Sequence, residues 1–135
     1  MDYSQKDLQD WAALRDININ WPKIFPVNSV NAMRGAFYFI DRVGIEGYLE
    51  SIFQSYWTNG KDISDIEILL EIAESCGAIP KEFLDFIDTP EAKQRLIQNT
   101  QELMDRGGFG SPTFFIDNTD MYFGNDRIQL IESVL

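Results

Sequence analysis

Histidine is absent from the sequence, and cysteine is almost absent. None of the 135 residues is histidine, and Cys76 is the single cysteine. Within this chain, the lack of imidazole excludes a Ser-His-Asp or Cys-His nucleophilic system, an imidazole general base and a histidine-ligated zinc site. One thiol cannot form an intrachain disulfide or a Cys-x-x-Cys redox pair, so the sequence does not indicate an oxidising compartment.

Basic residues and long apolar runs are also scarce. The chain has 11 Lys and Arg against 22 Asp and Glu, a formal net charge of −11. This balance disfavours nucleic acid and anionic membranes as partners, because both attract clustered basic side chains. No apolar run approaches the roughly 20 residues that span a bilayer, and the first residues are polar, unlike a signal peptide. We therefore expect a cytoplasmic protein.

The residues that are present predict one mostly helical domain. Hydrophobic residues make up 44% of the chain and aromatic residues 13%, which excludes a disordered acidic tail. In the helix beginning at Asn28 or Ser29, apolar residues recur at spacings of three and four, through Val30, Met33, Ala36, Phe37 and Ile40. This helix is predicted to end at Gly44. Similar spacing and capping residues predict an earlier helix that ends near Ile17, and later helices over 45–57, 64–77, 80–87 and 89–106.

The spacing of apolar residues changes from a helical to a strand pattern after Gly110. Residues 113–117 and 121–123 are β-branched or aromatic and are separated by turn residues, so they predict a hairpin, and a last helix follows with Ile128, Ile131 and Val134 on one side. Residues 114–116 are apolar on both faces, which is typical of a buried interior strand. A two-stranded hairpin leaves the first strand with an unpaired edge. Helices could cover this edge, another chain could pair with it, or the chain lacks strands that its relatives possess.

Three ordered motifs resemble one family. They are Phe-Gly-Ser-Pro-Thr-Phe-Phe at 109–115, Tyr-Phe-Gly-Asn-Asp-Arg at 122–127 and Val-Asn-Ala-Met-Arg at 30–34, and residues 51–70 follow the same pattern. Together they resemble the 2-hydroxychromene-2-carboxylate isomerases and kappa-class glutathione transferases, which share a DsbA-like thioredoxin fold.

The resemblance implies a fold and a domain organisation. It makes residues 1–135 a single DsbA-like domain of α/β class, predominantly α-helical, with a helical insertion at 1–108 and the β-β-α half of a thioredoxin fold at 109–135. The family's first β-α-β unit, which carries its catalytic serine and an asparagine loop, is not found in this sequence. We therefore expect a fragment, a truncated product or an assembly in which other strands supply the edge.

The resemblance also implies a glutathione site. It makes the Ser111-Pro112 bond cis, so that the backbone of Ser111 pairs with the cysteinyl part of glutathione. It places Asn125 and Asp126 at a helix start, where free N–H groups bind a carboxylate and Asp126 takes the γ-glutamyl ammonium. From the residues alone, helix capping is the favoured role of Asn125 and Asp126. No catalytic residue and no metal ligand is predicted.

Two further residues have alternative roles. Cys76 lies in a helical stripe, and a buried structural thiol is favoured over a nucleophile because free cysteine is among the most buried residue types. Asn28 lies in a loop that the family places near its active site, and a helix cap is favoured over substrate contact there.

The resemblance leaves two functions open. The first is a glutathione-dependent isomerase or transferase acting on a small hydrophobic or aromatic substrate through the thiolate of bound glutathione, a reaction that needs no histidine. The second is a catalytically inert binding or assembly module, as a homodimer or with a partner chain that supplies a strand. Disulfide oxidoreductase activity is excluded because this chain has no Cys-x-x-Cys.

Overall fold

The structure of the protein, a computed structural model, describes residues 2–135. In this range seven α-helices accompany one antiparallel hairpin. The helices are α1 (Tyr3–Leu14), α2 (Val30–Arg42), α3 (Glu46–Phe53), α4 (Ile66–Ser75), α5 (Pro80–Ile87), α6 (Pro90–Asp105) and α7 (Ile128–Val134). The strands are β1 (Thr113–Ile116) and β2 (Asp120–Phe123). None of these helices is both long and apolar enough to cross a membrane. The mostly helical fold predicted from the sequence is confirmed.

The helix starts follow the predicted capping chemistry, with one difference. Thr89 Oγ1 accepts a hydrogen bond from Ala92 N–H at 3.2 Å, as expected of an N-cap before Pro90. The cap of α4 is Asp65, whose carboxylate accepts from Glu67 N–H at 2.9 Å. The predicted cap, Ser64, instead bonds Asp62 through its hydroxyl, so the helix begins one residue later.

The chain divides into two compact units, Met1–Lys93 and Gln94–Leu135. The predicted division at residues 108 and 109 concerns the family's topology and stays a prediction. In the first unit, α2, α3 and α5 supply an aromatic core in which Phe39 stacks on Tyr48 at 4.3 Å between ring centroids. Tyr48 donates its hydroxyl to the carbonyl of Ala32 at 2.8 Å, and Phe83 is fully buried beside both rings.

The buried face of α2 differs in part from the predicted one, although Phe37 is buried as expected. Met33 and Ile40 are 42% and 52% exposed, whereas Tyr38 and Phe39 are buried. The reason is Gly35, where an added Cβ would lie 2.5 Å from the Tyr48 hydroxyl and 2.6 Å from the Phe83 ring. This close approach turns α2 so that its glycine and aromatic side, rather than the Met33 and Ile40 side, meets α3 and α5.

A long loop between α1 and α2 is attached to the end of α3. The helix continues there as a π-helical turn, Gln54–Thr58. Asn20 N–H donates to the Trp57 carbonyl at 2.7 Å, and Tyr56 donates its hydroxyl to the Ile24 carbonyl at 2.8 Å. The rings of Trp21, Phe25 and Trp57 pack together, with centroids 4.9 to 6.3 Å apart.

The second unit contains the hairpin in the register Thr113 to Phe123 through Ile116 to Asp120. A three-residue turn joins the strands, with Asp117 and Asn118 at positive φ. All four residues of β1 are partly exposed, so residues 114–116 are largely but not fully buried. The side chain of Arg106 covers Phe115, with its guanidinium 3.6 Å from the ring centroid.

The last helix is less buried than predicted. Of the expected apolar stripe, only Ile131 is buried, while Ile128 and Val134 are exposed. The reason is that α7 begins after a 3₁₀ turn, Asn125–Arg127, and is only seven residues long. A helix of two turns covers little of a neighbouring strand.

Candidate functional site

The predicted site residues lie together at one end of the hairpin. Gly124 N–H donates to the carbonyl of Pro112 at 3.0 Å, which extends the strand pairing by one position beyond Thr113 and Phe123. This bond places Ser111 and Pro112, before β1, next to the turn that follows β2. The Ser111-Pro112 bond is cis, as predicted; Phe25-Pro26 is a second cis bond, which the sequence did not predict.

The backbone of Ser111 is available to a ligand. Ser111 is exposed, and neither its N–H nor its C=O makes a hydrogen bond within the part of the chain that the structure describes. Exposed backbone groups of this kind can pair with an extended ligand as a strand would.

Unpaired backbone groups continue along the outer edge of β1. The register and the Gly124–Pro112 bond direct the N–H and C=O of Phe114 and Ile116 toward β2. Those of Thr113 and Phe115 therefore point away from β2. Within residues 2–135 no strand lies beside this edge. The unpaired edge predicted from the sequence is thus present.

Asn125 and Asp126 belong to the 3₁₀ turn rather than to the first turn of an α-helix. The residue before the turn is Gly124, and neither this turn nor α7 has a side-chain cap. Helix capping, which the residues alone favoured, is therefore not what these two side chains do. Both are exposed, and the side chain of Asn125 makes no hydrogen bond within residues 2–135.

Arg127 is a residue of this site that the sequence analysis missed. Its Nη1 lies 2.7 Å from Asp126 Oδ2, and both side chains are about half exposed. The Asp126 carboxylate also lies over Gly124, because a Cβ at Gly124 would be 2.7 Å from Asp126 Oδ1. An exposed carboxylate and guanidinium side by side can bind the ammonium and carboxylate of one amino-acid group. The signal was present in the sequence, since Arg127 ends the second quoted motif.

The other candidates lie in the first unit. Asn28 Oδ1 accepts from Val30 N–H at 3.1 Å, which supports its predicted role at the start of α2. Cys76 follows α4 and is half-buried rather than buried, with its Sγ 3.3 Å from Ser51 Oγ. It is half-buried because it is the C-terminal cap of α4, where the helix ends at the surface. Among residues 2–135, no three His, Cys, Asp or Glu side chains are grouped to hold a metal ion.

Comparison with known families identifies the fold. The model of the DSBA-like thioredoxin domain matches residues 1–135. The chain belongs to the DsbA-like thioredoxin family. The helical content and the terminal β-β-α arrangement agree with the fold that the three motifs predicted.

Two curated relatives show which members of this family the chain is similar to. The chain is 31% identical, over its full length, to a 2-hydroxychromene-2-carboxylate isomerase of Pseudomonas sp. (strain C18), covering 62% of that protein. It is 29% identical over 98% of its length to glutathione S-transferase kappa 1 of Homo sapiens, covering 65% of that protein. The resemblance inferred from the motifs is confirmed.

A solved structure agrees with these relatives. The structure of a 2-hydroxychromene-2-carboxylate isomerase superposes with a TM-score of 0.88 at 28% identity, over 98% of this chain and 64% of that one. This DsbA-like chain therefore spans a little under two thirds of the length of the curated relatives it matches.

Proposed function

We propose that this DsbA-like chain is part of a glutathione-dependent isomerase or transferase that acts on a small hydrophobic or aromatic substrate. The observation that carries the proposal is the hydrogen bond from Gly124 to Pro112, which brings Ser111 beside Asn125 and Asp126. The names of the relatives support the reaction class. Bound glutathione would supply a thiolate nucleophile that adds to an unsaturated substrate and leaves after bond rotation.

Ser111 would hold the cysteinyl part of glutathione. A peptide laid antiparallel to residues 111–113 can accept from Ser111 N–H and donate to Ser111 C=O, both unpaired within residues 2–135. Because these are backbone groups, the side chain at position 111 contributes little to this contact.

Asn125, Asp126 and Arg127 would hold the γ-glutamyl group. This group carries an ammonium and a carboxylate, which match the Asp126 carboxylate and the Arg127 guanidinium. Asn125 adds an amide that is free to donate or accept. The ligand's two charges would replace the ion pair that Asp126 and Arg127 now make with each other.

The thiol would be only weakly activated by this chain alone. By family resemblance, the activating serine belongs to a segment outside residues 1–135, and no imidazole is present to take its place. Losing a few charge-assisted hydrogen bonds of about 1.5–3 kcal/mol each reduces a micromolar affinity to roughly millimolar. Turnover falls further, because thiol activation acts mainly in the transition state.

Calorimetric titration with glutathione, together with isomerase and conjugation assays, tests this proposal. We expect a millimolar Kd that rises at least fivefold in Asp126→Asn, with Asp117→Asn in the exposed hairpin turn as the matched control. Micromolar binding with robust turnover would contradict the weak affinity and weak activation predicted for this chain. No binding of glutathione at tens of millimolar would contradict the proposal as a whole.

A second candidate is a catalytically inert binding or assembly module, which the free edge of β1 favours. Unpaired N–H and C=O groups on Thr113 and Phe115 can accept a strand from a second copy or from a partner chain. Sedimentation equilibrium of the chain distinguishes the two. A monomer at all concentrations argues against self-pairing, and a dimer whose Thr113 and Phe115 amides become protected from exchange supports it.

A further inference from the structure

The first unit contains a polar cavity that is not part of the proposed glutathione site. Its volume is about 300 Å³. Six polar residues line it: Ser51, Gln54, Ser55, Lys61, Glu71 and Ser75. Since one water occupies roughly 30 Å³ in the liquid, the cavity has room for a ligand of several heavy atoms.

Two helical faces and one chain reversal build this cavity. Ser51, Gln54 and Ser55 lie on one face of α3 and its π-helical continuation, and Glu71 and Ser75 lie one turn apart on α4. The chain then reverses at Gly60, whose φ is +66°, so that Lys61 N–H donates to the Ser55 carbonyl at 2.9 Å. This reversal brings the only cation of the cavity lining next to its serines.

Ser55 is a mostly buried residue whose hydroxyl opens into the cavity. The residue is 8% exposed, and its side chain makes no hydrogen bond to any described residue. Among the described residues, Arg34 Nε is the one fully buried side-chain nitrogen or oxygen without a partner, so the Ser55 hydroxyl is unpaired but reachable from the cavity. Because Ser55 lines the cavity, the group that can pair with it is one that enters the cavity.

Lys61 and Glu71 carry opposite charges and are not neutralised by the protein. Neither forms an ion pair within residues 2–135, with each other or with another side chain. Both are exposed at the cavity's surface and so are accessible to a ligand. A ligand with a carboxylate and an ammonium can engage both.

The serine hydroxyls are already directed by the protein. Cys76 Sγ lies 3.3 Å from Ser51 Oγ, so the Ser51 hydroxyl has one sulfur partner and can form a further hydrogen bond. Ser75 donates to the Ile72 carbonyl at 2.7 Å, which leaves its oxygen as an acceptor. The cavity therefore offers serine hydroxyl groups in addition to the two charges.

We propose that this cavity binds a small zwitterion, a free α-amino acid. Its carboxylate would be held by Lys61 with the hydroxyls of Ser51 and Ser55, and its ammonium by Glu71 with Ser75 Oγ. A simple anion would leave Glu71 unmatched beside it, and a simple cation would leave Lys61 unmatched. A polyol would use the hydroxyls and neither charge.

Titration of the full chain, followed by amide NMR shifts and calorimetry, tests the ligand class. The probes are glycine, acetate, methylammonium and glycerol. We expect glycine to bind with a millimolar Kd and to shift the amides of Ser55 and Lys61, and each other probe to bind at least tenfold more weakly. Glycine binding no tighter than acetate or glycerol would overturn the proposal.

Matched variants test the residues. Lys61→Gln and Glu71→Gln should each weaken glycine binding at least fivefold, while Lys23→Gln and Glu74→Gln, exposed and outside the cavity, should leave it unchanged. Ser55→Ala should weaken it at least threefold without loss of the folded spectrum. Equal effects in variants and controls would overturn the assignment.

A background variant separates this site from the glutathione site. Glycine binding should be unchanged in Asp126→Asn, whose glutathione binding is expected to fall. Loss of glycine binding in Asp126→Asn would show that the zwitterion binds at the hairpin and would overturn the cavity proposal, leaving the proposed function standing.

Discussion

The two units of this protein differ in how they bury their aromatic residues. In Met1–Lys93, aromatic rings from three helices meet in a core where Phe39, Tyr48 and Phe83 are almost inaccessible. In Gln94–Leu135, Ile131 is the one buried apolar residue, the residues of β1 are partly exposed, and both ends of β2 are exposed. The first unit is stabilised by its own packing, whereas the second keeps apolar surface and backbone groups available for contact.

The largest effect should come from truncating one aromatic ring in each unit. Phe83→Ala removes a fully buried ring and should reduce the free energy of unfolding by about 3–5 kcal/mol. Phe115→Ala removes a half-buried ring beneath Arg106 and should reduce it by only about 1–2 kcal/mol. Urea denaturation of both variants measures the difference, and equal losses would show that the hairpin is part of a core as tight as the helical one.

Adding one methyl group at Gly35 should be the next largest change. Its Cβ would meet the Tyr48 hydroxyl at 2.5 Å and the rigid Phe83 ring at 2.6 Å, so the helices must separate. We expect Gly35→Ala to cost about 1–3 kcal/mol. Gly47→Ala is the control, because nothing lies within 4 Å of a Cβ there. A Gly35→Ala variant as stable as Gly47→Ala would refute the tight packing of α2.

The buried hydroxyl of Tyr48 should make the helical unit sensitive to high pH. Burial, with the electrostatic influence of Cys76 as a lesser cause, raises the pKa of Tyr48 in the folded protein. An unfolded-state tyrosine ionises near pH 10, so the stabilisation is complete below that pH and is lost above it by up to about 1.4 kcal/mol per pH unit.

Tyr48→Phe measures this contribution. The variant should lose about 1 kcal/mol at neutral pH with the bond to Ala32, and its denaturation midpoint should fall less steeply than wild type between pH 10 and 11. Parallel pH profiles for the two proteins would contradict the buried, neutral phenol.

The smallest expected difference is in amide hydrogen exchange along β1. The exchange rates of successive amides should alternate between slow and fast. Phe114 and Ile116 direct their N–H groups toward β2, whereas Thr113 and Phe115 direct theirs away. The first pair should exchange more slowly by a factor of about ten or more, and core amides of α2 and α4 more slowly still. Uniform protection along β1 would mean that another strand covers its outer edge.

Much of this fold could be predicted from local signals. The helix Pro80–Ile87 and the hairpin follow from proline, capping and turn chemistry, which act over a few residues. The orientation of α2 could not be predicted, because it depends on a contact between Gly35 and rings from α3 and α5, distant in sequence. The apolar run of β1 predicted that the strand is largely buried, but it could not show which residues cover it.

The candidate site was predictable only in part. The positions of Ser111, Asn125 and Asp126 came from family motifs, since each residue type has a common structural role on its own. The pairing of Arg127 with Asp126 depends on the 3₁₀ turn after β2, a turn that the sequence had predicted as the start of an α-helix.

The attachment of the loop to the π-helical turn gives the protein an optical reporter. Trp21 and Trp57 lie with ring centroids 6.3 Å apart, and Asn20 ties the loop to the Trp57 carbonyl. The same turn supplies Ser55 to the polar cavity on its other side. Intrinsic tryptophan emission will therefore shift whenever the loop between α1 and α2 separates from the π-helical turn. This separation can be followed without an attached dye.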